Sequence, residues 1–278
     1  PGGFDPSMAL TDFQRHLCRL VASHRVASGE SYVAGAAALN EVLASTRVSR
    51  DIDLFHDSDA ALEASWEQDH ALLVANGFDV RVLRARPALV EAEVVRGADS
   101  VIMEWSRDSA FRFFPLVAHV DFGLTLHPFD LATNKVLALV GRLEPRDWVD
   151  VITCSDQVQP LGCLAWAACG KDPGFSPAAI LEHAARTSRY AAEELAGLAF
   201  NGDPPDAGHL SRRWRLALEE GRAIIDVLPP MEAGTCVLTT GGELFRGSPD
   251  QLREAAAAAR IHFHRGRLRG AYPRIAGL

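Results

Sequence analysis

The chain has 278 residues, 48% of them hydrophobic and 23% charged, with a formal net charge of −8. That length suits two domains, or one domain with a substantial appendage, and the balance is ordinary for a globular protein. The negative total argues against a general nucleic-acid-binding protein, and no apolar run approaches the roughly 18 residues that a membrane span requires.

Pro1 to Ser7 read as a remnant of an expression tag ahead of Met8, with no basic-then-apolar leader. Leu10, Phe13, Leu17, Leu20 and Val21 recur near the helical period and predict a helix over about 10–27. Tyr32-Val33-Ala34 reads as a short strand, and Gly35 opens an Ala-rich helix at 36–45. A strand over 50–55 carries Asp51 and Asp53, and Asp57-Ser58-Asp59 caps a helix over 60–75 that Asn76-Gly77 ends. Strands follow at 78–84, 91–96 and 100–106, giving an α+β core of a short mixed sheet flanked by helices.

From Pro128 the character turns helical, with segments over 130–141, 147–157, 160–170, 177–199 and 209–227 punctuated by Pro145, Pro160, Pro173 and Pro177. Residues 201–208 form the clearest linker. Gly241-Gly242 between two short apolar runs signals a hairpin over 235–246. The expected division is a core over 8–127 and a mainly helical domain over 128–278.

The chemistry concentrates at Arg47-Val48-Ser49-Arg50-Asp51-Ile52-Asp53. In a strand, residues two apart share a face, so both carboxylates leave one side while Ile52 and Leu54 enter the core. Two adjacent carboxylates repel unless a cation lies between them, and hard oxygen ligands suit Mg²⁺. Upstream, a glycine at a strand-to-helix turn lets backbone approach a phosphate, and the helix start offers free N–H groups. A third carboxylate on a neighbouring strand commonly completes such a site. Glu104, within its strand, is the favoured candidate, with Asp108 at the strand end and Asp121 as alternatives.

These elements resemble the DNA polymerase β-type nucleotidyltransferases, in particular the AbiEii/AbiGii-toxin-like branch. The resemblance rests on Gly35-Ala36, Arg47-x-Ser49-x-Asp51-Ile52-Asp53, Lys135 within its helix, and Arg146-Asp147-Trp148-Val149-Asp150, and it spans roughly residues 30 to 155. Ala36 stands where the family has Gly or Ser, which removes a hydroxyl but keeps the backbone N–H. The resemblance implies a polymerase β-like nucleotidyltransferase core and transfer of NMP from an NTP, with two Mg²⁺ ions. It implies catalytic, metal-holding Asp51, Asp53 and Glu104, and nucleotide contacts from Gly35, Ala36, Ser49, Arg50, Lys135 and Asp147. Lys135 would reach the β- and γ-phosphates, with Asp147 orienting Lys135 or Arg146. Arg47, Ser49 and Arg50 either touch phosphate or base, or hold the loop. It further implies a tRNA or other RNA acceptor and a cognate antitoxin. A small-molecule (antibiotic-type) transferase and an inactive nucleotide-binding relative are the alternatives.

The remaining signals are bland. Cys18, Cys154, Cys163, Cys169 and Cys236 contain no Cys-x-x-Cys pair and fit reduced thiols in a cytoplasmic protein. His262-x-His264 reads as basic surface rather than a metal pair. Arg212-Arg213-Trp214-Arg215 and the acid-free stretch with Arg260, Arg265, Arg267, Arg269 and Arg274 are either a solvated helix face or a contact for RNA or a partner.

Overall fold

The computed structural model describes residues 9–186 and 190–273, so Met8 and Arg274 lie outside the described residues. The chain divides into two compact units. The first runs through residue 110 and adds 116–127 and 199–202; the second takes 111–115, 128–198 and 203 onward.

In the first unit, α1 (Asp12–Ser28) starts at a capping box made by Thr11 and Gln14 and ends at Gly29, a left-handed residue with φ +66°. β1 (Ser31–Ala34) leads into α2 (Gly35–Val42), and β2 (Asp51–His56) into α3 (Asp59–Ala75), whose Ser58 cap accepts from the Ala61 N–H. β3 (Asp79–Arg86), β4 (Leu89–Arg96) and β5 (Asp99–Arg107) form an antiparallel meander. The next strand, β6 (Phe111–Arg112), belongs to the second unit, whereas β7 (Val117–His119) and β8 (Gly123–Thr125) return to the first. The resulting seven-stranded sheet has the order β3-β4-β5-β2-β1-β8-β7 and is mixed: β2 runs parallel to β5, and β1 antiparallel to β2. This is the α+β sheet with flanking helices that the sequence predicts.

One face of that sheet is the core. Ile52, Leu54, Ala92, Val94, Met103 and Trp105 are buried there under α3, each large side chain contributing about 1.5–3 kcal/mol. The Trp105 indole donates to Asp69 of α3 at 3.0 Å and meets the Trp66 ring edge-on at 4.9 Å. Asp69 also holds His24 Nδ1 at 2.9 Å and lies 3.5 Å from Arg25, so the one fully buried guanidinium of α1 has a counter-charge. Residues 199–202 clasp the loop before β2. Val48 N–H donates to the Ala199 carbonyl at 2.9 Å, Asn201 N–H donates to the Thr46 carbonyl at 2.7 Å, and Arg47 bridges to Phe200.

The second unit contains α4 (Pro128–Arg142), α5 (Pro145–Gln157), α6 (Leu161–Ala168), α7 (Pro177–Ala184), α8 (Ala192–Ala196) and α9 (Ala207–Val227). It continues with β9 (Thr235–Thr239), α10 (Pro249–Ala257), β10 (Ile261–Arg265) and β11 (Arg267–Leu268). Every residue of α6 is buried, and α6 meets α9 at two glycines; a Cβ on Gly162 would lie 2.6 Å from the Gly221 carbonyl oxygen.

Three expectations change here. The helix expected over 177–199 stops at Ala184, and a separate short helix opens where Glu194 accepts from the Ala191 N–H; residues 187–189 lie outside the described residues. The expected hairpin over 235–246 is not the main pairing. β9 pairs with β10, and Leu244 touches Leu238 through a single bridge. The Ser248–Gln251 capping box starts α10, which carries the chain round to that distant partner. Finally, Arg265 and Arg267 lie on strands rather than on a helix face, while Arg212, Arg213 and Arg215 lie on α9.

Candidate active site

The site lies in the first unit, on the face of the sheet opposite α3. The alternation in β2 leaves Asp51 and Asp53 half-exposed and buries Ile52 and Leu54 completely. Asp53 is the register partner of Glu104 on parallel β5, and Asp51 that of Ile102. Glu104 is in turn opposite Glu91 of β4, whose carboxylate lies 3.6 Å from Arg84 of β3. Neighbouring strands are about 4.8 Å apart, so Asp53, Glu104 and Glu91 form one row of carboxylates. Like charges placed side by side are unfavourable, and such a row is the natural place for a cation.

Gly35 completes the geometry. It has φ +63° and begins α2, whose Ala34 cap supplies no side-chain hydrogen bond. A Cβ on Gly35 would overlap the Asp53 carboxylate, lying 2.6 Å from its Cγ. The backbone therefore comes right up to the carboxylate, and the first N–H groups of α2 lack a side-chain cap. Ala36, next in the turn, is buried.

Among the loop residues, Ser49 is buried and its hydroxyl donates to the Asp51 carbonyl at 3.1 Å; its own carbonyl accepts from Gln14 at 2.9 Å. Arg47 is also buried, whereas Arg50 is exposed. Ser49 and Arg47 thus hold the loop, and Arg50 is the side chain it presents. Asp121 is no candidate for the third acid: it is buried and ion-paired with Arg15 and, at 2.6 Å, with Arg19. Asp108 follows β5, and its side chain accepts from the Ser109 N–H at 2.7 Å.

Lys135 and Asp147 belong to the second unit and form a buried cluster within it. The Lys135 ammonium lies 3.2 Å from Asp147 and 3.0 Å from Asp150, and Arg142 binds Asp147 at 2.8 Å. Burial alone would raise the Asp147 carboxyl above its ordinary value, but Lys135 and Arg142 outweigh it and hold it below. Arg146 instead pairs with Glu144 at 2.6 Å. His264 donates to the Phe113 carbonyl at 2.8 Å, a structural use that leaves no His pair for a metal. All five thiols are buried, with Cys18 and Cys163 pushed up to about 12 by burial, so none is poised as a nucleophile.

Among the described residues, no three His, Cys, Asp or Glu side chains converge into a metal cage. Mg²⁺ does not require one, because it is ordinarily held by one or two carboxylates together with substrate phosphates. Asp51 and Asp53, half-exposed hard oxygen donors beside a phosphate-sized approach at Gly35, fit that ion. No described helix is long and apolar enough to cross a membrane.

A mixed sheet with paired acids on its open face, backed by a glycine turn, is the nucleotidyltransferase fold. No protein-family model and no curated protein matches the chain. Solved structures do. MenT4, a nucleotidyltransferase toxin from Mycobacterium tuberculosis H37Rv, superposes with a TM-score of 0.50 at 14% identity, over 74% of this chain and 80% of its own. JHP933 from Helicobacter pylori gives 0.50 at 13% identity, over 78% and 95%. A further H. pylori structure, described as a nucleotidyltransferase, gives 0.49 at 14%, over 78% and 98%. The fold is the one the sequence resemblance implies.

Proposed function

We propose that the chain is a metal-dependent nucleotidyltransferase that moves NMP from an NTP to an RNA acceptor, in the manner of a toxin such as MenT4 with its own antitoxin. The observation that carries this reading is the Asp51/Asp53 pair on the open face of β2 with the Gly35 backbone packed against Asp53. Asp51 and Asp53 would hold Mg²⁺, with Glu104 as the register neighbour on β5. A bound metal supplies charge neutralisation for the attacking and leaving oxygens. The chain's own part is positional: uncapped α2 N–H groups receive phosphate, and Arg50 offers an exposed cation beside it.

The role of Lys135 toward the triphosphate is a separate proposal. Lys135→Arg should keep the NTP affinity that Lys135→Met loses. The function itself is tested with α-labelled NTPs, Mg²⁺ and cell extract. Label in RNA that disappears with Asp53→Asn supports it, and label only in protein or small molecules refutes the RNA acceptor.

A further inference from the structure

Beside the carboxylate row, the same face of the sheet carries a second row. Phe55 on β2, Ser106 on β5 and Leu89 on β4 are successive register partners, two residues along from Asp53, Glu104 and Glu91. Two residues of strand separate the rows by about 6.7 Å. Phe55 and Leu89 are half-buried. Tyr32, the partner of Phe55 on β1, is buried behind it with ring centroids 6.3 Å apart. Ser106, between the two apolar residues, is 8% exposed, and its hydroxyl has no hydrogen-bond partner in the structure. A buried, orphaned hydroxyl calls for an explanation, and the core packing against α3 supplies none, because Ser106 points to the other face.

We propose that Phe55, Ser106 and Leu89 seat the terminal nucleobase of the acceptor, an inference that rests on the nucleotidyl-transfer reading. A base buries its flat faces on aromatic and aliphatic side chains while its edge needs donors and acceptors, and a serine hydroxyl is both. The assignment to acceptor rather than donor follows from which side the row occupies. Ala34 is the partner of Asp53, so Gly35 and the start of α2 come level with Ile52, on the Asp51 side of Asp53. The Phe55 row lies on the opposite side. Attacking and leaving oxygens are roughly in line in phosphoryl transfer. Pyrophosphate leaving toward Gly35 therefore places the attacking hydroxyl on the Phe55 side, and a nucleoside is the acceptor that brings a base there with its hydroxyl.

The test is equilibrium binding, which needs no turnover. A labelled eight-nucleotide RNA with an intact terminal base is compared with the same RNA ending in an abasic nucleotide, alongside a nonhydrolysable NTP. Wild type should prefer the intact RNA about tenfold, the scale of one base–aromatic stack. Phe55→Leu should erase most of that preference and leave NTP binding unchanged, whereas Phe55→Trp should keep it. Ser106→Ala removes an orphaned polar group, so its fold should hold, and the preference should fall several-fold. Preference intact in both Phe55→Leu and Ser106→Ala overturns the seat. Loss of NTP affinity with RNA preference unchanged also overturns it, assigning the row to the donor. A base preference without any transfer of label to RNA leaves the seat standing and removes the transfer reading beneath it.

Discussion

Gly35→Ala separates a functional turn from a merely structural one. Two costs add. A residue other than glycine at φ +63° pays about 1–2 kcal/mol for the left-handed conformation. The new Cβ would also sit 2.6 Å from Asp53 Cγ, and overpacking of that kind costs roughly 1–3 kcal/mol. The sum, about 2–5 kcal/mol, is a large share of the about 5–15 kcal/mol that folded proteins possess. Urea denaturation reads the total. A double-mutant cycle with Asp53→Gly isolates the collision: in that background Gly35→Ala should cost only the conformational part, leaving a coupling of about 1 kcal/mol or more. Transfer should be lost in Gly35→Ala even where the protein remains folded, because Asp53 must swing away. Wild-type stability with zero coupling, or full transfer in the single variant, would refute the close approach on which the site is built.

Other consequences follow from individual groups. His56 is buried, accepts from the Ser31 hydroxyl at 3.1 Å and donates to the Ser106 carbonyl at 3.1 Å, and burial lowers its pKa to about 4. The unfolded chain takes up that proton near pH 6.5 and the folded one only near 4. Stability is therefore complete above 6.5 and falls by about 3 kcal/mol between there and 4; an imidazole resonance titrating near 6.5 would contradict this. Asp147 has a depressed pKa, so its contribution is present above the ordinary aspartate range and lost as pH falls through its folded value, which Asp147→Asn should abolish in an acid titration. Lys135→Met leaves Asp147 and Asp150 buried without their shared cation and should cost about 3–5 kcal/mol by denaturation; a variant as stable as wild type would show the cluster to be dispensable. Without metal, Asp51→Asn and Asp53→Asn should melt at or above the wild-type temperature, since each relieves carboxylate repulsion.

The sequence revealed most where local rules decide structure. The alternation around Asp51 and Asp53, the Ser58 cap and the Asn76-Gly77 stop lead directly to β2 and α3. The same parity argument placed Glu104 on the side facing away from Met103 and Trp105, and the register makes it the neighbour of Asp53. Long-range pairing was not legible. Nothing local tells that β2 runs parallel to β5, that residues 199–202 return to clasp the loop at 46–48, or that Asp121 meets Arg15 and Arg19 across about a hundred residues. Strands of two or three residues, such as β6, β7 and β8, are too short to show a period. The hairpin at Gly241-Gly242 failed for a related reason: the turn signal was real, but a helix start at Ser248 redirected the chain, and β9 found its partner at β10.

The most direct measurement is single-turnover transfer from an α-labelled NTP to RNA with Mg²⁺, comparing wild type with Asp51→Asn and Asp53→Asn. The account predicts label in RNA with wild type, none above background with either variant, and folded variants by circular dichroism. Transfer undiminished in either variant would contradict the metal-holding pair at the centre of the account.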